Sequence, residues 1–129
     1  MSRTVRGIVY GAAAVLALDT AGSLAAQAAG FDYALLTPVS IVLYAAVGAY
    51  VGTTELVSRA AIAGAVVGVI DATLGWAISW AIGPGRPQAD ERITALGLFN
   101  TVIFVAVLAA VAAAGGAWVA QWRRRKRTA

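Results

Sequence analysis

The sequence contains no cysteine and no histidine, and its only methionine is Met1. Thiol nucleophiles, disulfides, Cys/His zinc sites and a Ser-His-Asp triad are therefore excluded. So is haem held by His, Cys or Met. Charge is scarce as well: 12% of the 129 residues are Asp, Glu, Lys or Arg, about half the ~25% of an ordinary soluble domain. Proline occurs only at Pro38, Pro84 and Pro87, so long stretches run without a helix breaker. A phosphate-cradling loop needs glycines followed by Lys and Ser/Thr, and the glycine-proline loop Gly83-Pro84-Gly85 has neither.

What the chain does have is apolar length. It is 60% hydrophobic, with a mean hydropathy of +0.79. The apolar residues form four runs, each near or above the ~20 residues a membrane helix needs, and these runs hardly show the polar stripe of a soluble amphipathic helix. They predict an all-α integral membrane protein: a four-helix transmembrane bundle in one domain, residues 1–129. The helices are expected at about 7–29, 33–51, 55–82 and 91–122, with a basic tail at 123–129. A signal peptide ending at Ala26-Gln27-Ala28 is the competing reading of the first run, and Asp19 inside its apolar stretch argues against it.

Turn chemistry separates the runs. Gly30 suits a helix C′ position and Asp32 the next N-cap. Pro38 implies a kink or an irregular first turn in helix 2. Thr53 or Thr54 is expected to cap helix 3, and Glu55 and Arg59 are spaced for an i, i+4 pair. The 83–89 loop ends helix 3, and Asp90 is placed to cap helix 4. Arg3, Arg6, Arg59 and the tail residues Arg123, Arg124, Arg125, Lys126 and Arg127 fall on one side, against Arg86 and Arg92 on the other. The positive-inside rule then puts both termini in the cytoplasm and the chain in the cell membrane as a multi-pass protein. Trp118 and Trp122 precede the basic cluster in the order apolar, aromatic, charged. With Arg123, Arg124 and Arg125 they are expected at the lipid interface, touching anionic head groups. That placement assigns the basic run to lipid and away from nucleic acid.

Helices 1 and 3 echo one another. Shifted by 53 positions, Arg6 meets Arg59, Gly11 meets Gly64, Gly22 meets Gly75 and Gly30 meets Gly83, while Asp19 and Asp71 fall one position out of register. Two parallel-repeated helix hairpins are one reading. Chance matching in Ala/Gly-rich helices is the other.

The two intramembrane acids break the local pattern. Asp19 lies 13 residues from Arg6 and Asp71 lies 12 from Arg59, so each sits roughly 18–20 Å from the basic side at 1.5 Å rise per residue. Asn100, counted from Arg92, falls about 18 Å from that side of a ~30 Å core. Asp19, Asp71 and Asn100 are thus the expected ion or proton site. A charged Asp at a helix centre costs about 2.5–3.5 kcal/mol on insertion scales, so each must find a partner, water or a proton. The structural alternative is equally concrete. Gly64, Gly68, Asp71 and Gly75 recur at helical spacing on one face, and small residues on a face mark close helix packing, where an Asp can be a mere interhelical bond. Trp76 and Trp80 are one turn apart, as interface anchors or a ligand-stacking pair. Thr20, Ser23, Thr73, Ser79 and Thr101 either line a polar path or bond their own backbone.

Two intramembrane aspartates are also a property of intramembrane aspartyl proteases, but the Gly-x-Gly-Asp motif is missing here: the stretch reads Gly68-Val69-Ile70-Asp71. The chain reads as a non-enzyme with no cofactor and no metal. The expected function is a homo-oligomeric channel or transporter for small ions or polar solutes, working through midplane carboxylates. The alternative is a non-transporting accessory or scaffolding subunit of a larger membrane protein assembly. The position of the carboxylates decides between them: a cavity favours transport, a dry seam favours scaffolding.

Overall fold

The computed structural model describes residues 1–87 and 92–128, and among these there are helices and no strand. Helix α1 is Arg3–Ala29. A 3-10 turn, Tyr33–Leu36, leads into α2, Thr37–Gly52. Helix α3 is Val57–Ile82 and α4 is Ala95–Thr128. All four, with α2 taken together with its 3-10 turn as Tyr33–Gly52, are long and apolar enough to cross a membrane.

The caps explain where the boundaries depart from expectation. Ser2 accepts the Val5 N–H, so α1 starts at Arg3 and not at residue 7. Gly30 ends it at φ 70 with its N–H on the Ala26 carbonyl, and Asp32 accepts the Ala34 N–H, as their residue types required. The irregularity expected at Pro38 appears as the 3-10 turn ahead of it. Pro38 itself sits in the first turn of α2, where a missing N–H leaves no bond unmade. Neither Thr53 nor Thr54 caps α3: its N-cap is Leu56, and the Thr53 hydroxyl turns back to the Tyr50 carbonyl. The Asp90 cap and the start expected for helix 4 at residue 91 lie outside the described residues. From Ala95 on, the entry to α4 is organised by Thr94, whose hydroxyl accepts the Gly97 N–H at 3.0 Å.

Helices α2 and α3 touch each other, and both pack on α1 on one side and on α4 on the other; α1 and α4 do not meet. In lipid there is no water-driven burial between helices, so close van der Waals approach of small residues must hold them. The α4 seam shows it. A methyl built on Gly64 would lie 2.5 Å from both the Ala109 carbonyl oxygen and the Ala113 Cβ, and one on Gly68 would lie 2.7 Å from the Ala109 Cβ. Gly48 faces the Ala113 backbone and Gly116 faces the Ala45 carbonyl just as tightly. Below the loop end, Val15, Tyr44, Val47, Val51, Ala63 and Val67 form a closed core. Large apolar side chains such as Phe99, Val107 and Val111 point outward from α4, as lipid-facing positions do. The chain is a small multi-pass membrane protein.

One end of the bundle gathers the N-terminus, the 53–56 turn and the end of α4. The Arg3 Nε donates to the Tyr50 carbonyl, Gln121 donates to the Gly52 and Glu55 carbonyls, and Arg124 donates to the Thr53 carbonyl. The last carbonyls of α2 have no intrahelical partners, and cations at a helix C-terminus suit its dipole. Arg59 and Glu55 form the expected pair at 3.1 Å.

Candidate functional site

Asp71 begins a single π-turn, Asp71–Gly75, within α3. The Trp76 N–H reaches back five residues to the Asp71 carbonyl, and the Thr73 hydroxyl donates to the Val69 carbonyl at 2.6 Å, supporting the loosened ladder. The π-turn changes which face the following residues present. In a regular helix Gly68 and Gly75, seven residues apart, would share a face. An extra residue in one turn rotates the helix beyond it by about 100°. Gly64 and Gly68 accordingly face α4, whereas Gly75 faces the Asp19 carboxyl of α1. The expected continuous glycine face is therefore split: two glycines pack helices, and the third makes room for an acid.

Asp19 and Asp71 are brought together. Both are buried, at 4% and 7% exposure, although each comes from a different helix. A methyl built on Gly75 would collide with Asp19 Oδ2 and lie 3.0 Å from Asp71 Oδ1, so both carboxyls converge on the space that glycine leaves. The Tyr33 hydroxyl donates to Asp19 Oδ1 and the Tyr44 hydroxyl donates to Asp71 Oδ2. Among the described residues, Asp19 Oδ2 and the Ser23 hydroxyl one turn away are buried without a hydrogen-bond partner. Buried polar atoms are rarely left unpaired, and Asp71 Oδ1 converges on the same space, so a proton shared by the two carboxyls, a water or a ligand would satisfy Asp19 Oδ2.

The pair lines a cavity of about 490 Å³ that reaches the loop residues Asp32, Pro84, Gly85 and Arg86, away from the arginine cluster. Its walls include Tyr33, Tyr44, Trp76, Trp80 and Phe104, and Ser40, Ser79 and Thr101 add polar groups. The rings of Trp76 and Trp80 stack at 6.3 Å between centroids. Arg86 is the single basic residue among the described lining residues. Its Nε donates to the Trp80 carbonyl at 2.7 Å. Comparison with known proteins gives no match to a family model, to a curated protein or to a solved structure. The site must be read from its own chemistry.

Asn100 is not brought to the acids. It is exposed on α4, one position before the cavity-lining Thr101. Tyr33 and Tyr44 occupy the partner role, and no sequence signal singled them out. A tyrosine in an apolar helix is common, and only the fold shows that its hydroxyl meets an acid. The polar path resolves by residue. Thr20, Thr73 and Thr101 bond the carbonyls of Leu16, Val69 and Gly97 on their own helices, whereas Ser23 and Ser79 are buried. Trp118 and Trp122 are exposed, the Lys126 ammonium lies 4.0 Å over the Trp122 ring, and Arg123 and Arg125 are exposed beside them.

Proposed function

We propose that the protein is a carrier for small cations, taking a proton or an ammonium-bearing solute at the Asp19–Asp71 pair from the loop end of the bundle. The observation that carries this reading is the unpartnered, buried Asp19 Oδ2 beside Asp71 in the lining of a cavity. Two carboxyls that converge with no base beside them need a proton or a cation to offset their charge in a medium of low dielectric. A cavity of about 490 Å³ exceeds the size of a bare ion, and its mainly apolar wall with a few convergent polar groups fits a small-molecule site. Stacked tryptophans and two tyrosines suit an organic cation, whose charge is attracted to ring faces. Among the described residues no three acidic, histidine or cysteine side chains gather, which disfavours a multidentate divalent metal site.

The closed core below the acids supports a carrier over an open pore: Val15, Val47, Val51 and Val67 fill the path toward the arginine end. The acids facing a cavity also favour transport over the accessory-subunit reading. The test is flux into liposomes holding the full chain and a trapped pH dye. Addition of phenyltrimethylammonium outside should move protons in the opposite direction, and Asp71→Asn should abolish the signal while the protein stays helical and monodisperse. If proton, potassium and phenyltrimethylammonium fluxes all equal those of protein-free vesicles, the carrier reading is wrong.

A further inference from the structure

A second cavity lies at the other end of the bundle, in the groove between α2 and α4. Its floor is made of residues with little or no side chain: Ala45, Ala46 and Ala49 from α2, with Ala112, Gly115 and Gly116 from α4. Its volume is about 1270 Å³, above the roughly 300–1,000 Å³ of a drug-sized pocket. The mouth is a ring of arginines drawn from both ends of the chain: Arg3 opens α1, while Arg123, Arg124 and Arg127 close α4. Tyr50 and Trp118 stand between the apolar floor and this ring.

Two of the four arginines are held in place. The Arg3 guanidinium lies 4.5 Å from the Tyr50 ring centroid and its Nε is fixed on the Tyr50 carbonyl at 3.0 Å. Arg124 is tied to the Thr53 carbonyl. Arg123 and Arg127 are one turn apart on α4 and project from the same side. The described residues lining the groove include four arginines and no carboxylate. The groove therefore combines an apolar trough, two aromatic side chains beside it and a cationic rim.

We propose that this groove is a binding site for one anionic phospholipid, with an acyl chain along the Ala/Gly floor and the phosphate at Arg3, Arg123 and Arg127. Charge complementarity selects the occupant. A zwitterionic lipid offers the arginines no net charge, and a second copy of the chain would bring its own arginine cluster against this one. The arrangement differs from general attraction of a basic tail to a charged surface because Arg3 belongs to it and because the trough must be vacant.

Gly115 makes the two separable. A Cβ built there meets nothing within 4 Å, and Gly115 lines the groove, so Gly115→Leu is designed to occupy the trough without crowding the helix seam at its first atom. The experiment is native mass spectrometry of the full chain released from micelles containing phosphatidylglycerol and phosphatidylcholine. The expected result is one phosphatidylglycerol retained per chain in preference to phosphatidylcholine. Retention should weaken roughly thirty-fold in Arg123→Gln/Arg127→Gln, at about tenfold per 1.4 kcal/mol and ~1 kcal/mol per arginine, and should be lost in Gly115→Leu. Equal retention of the two lipids overturns the proposal. So does loss in the arginine variant with full retention in Gly115→Leu, which means surface attraction alone. A dimer that Gly115→Leu dissociates overturns it too, because the groove then holds a second copy.

Discussion

Gly75 of α3 lies directly under the carboxyl of Asp19 on α1, in the space an alanine methyl would fill. The absence of one Cβ therefore lets acids from two helices converge. Gly75→Ala should push the Asp19 carboxyl aside. Helix propensity favours alanine by about 1 kcal/mol, but overpacking costs about 1–3 kcal/mol, so the net change is a loss of stability. Thermal unfolding in detergent should show a lower midpoint, and liposome flux should fall with it. Unchanged stability together with unchanged flux would refute the contact.

Asp19 and Asp71 should act as one unit. Residues in contact do not contribute additively, so Asp19→Asn, Asp71→Asn and the double substitution should reduce phenyltrimethylammonium binding by similar factors. Quenching of Trp76 and Trp80 fluorescence reads that binding. Losses that multiply in the double variant would show two independent sites.

Tyr44 is 2% exposed and its hydroxyl is bonded to Asp71. Tyr44→Phe leaves a buried acid without that donor, at a cost of about 1–3 kcal/mol. Tyr33 is only half-buried, so Tyr33→Phe should destabilise less because water can replace the lost bond. Denaturant titration in micelles compares the two, and an equal or reversed order contradicts the placement.

The α2–α4 seam should tolerate no added methyl at Gly48, where it would run into the Ala113 backbone. Gly115→Ala, in open space, should stabilise by up to about 1 kcal/mol through helix propensity. The same glycine-to-alanine change thus has opposite signs one turn of packing apart, which unfolding midpoints will show.

The chain lacks cysteine, so a single introduced thiol reports topology without background. Thr54→Cys lies at the arginine-rich end and Ala29→Cys at the loop end, both exposed. The positive-inside rule expects the arginine-rich end in the cytoplasm, so a membrane-impermeant maleimide should label Ala29→Cys in intact cells and Thr54→Cys only after permeabilisation. The reverse pattern would invert the orientation.

Much of this was legible in the residues. Four apolar runs without polar faces leave few alternatives to a helical membrane bundle, because unpaired backbone cannot stay in lipid. The Gly30 and Asp32 turn chemistry was local and could be read locally. The likeness in depth of Asp19 and Asp71 was also legible, since helix rise is constant. Asn100 fell at the same depth, but depth fixes only one coordinate. Its angular position on α4 depends on how α4 packs, and that packing turns it outward.

The sequence by itself determined that the chain spans a membrane with four helices, that its arginines cluster at one end, and that two acids lie deep between those ends. Composition and rise per residue suffice for that. Only the tertiary structure decided that the acids meet, that Tyr33 and Tyr44 hold them, and that they line a cavity instead of a dry seam. The reason is the π-turn at Asp71–Gly75: it rotates the end of α3 away from its own glycine stripe, and a change of phase inside a helix is set by the neighbours it packs against, not by residue spacing.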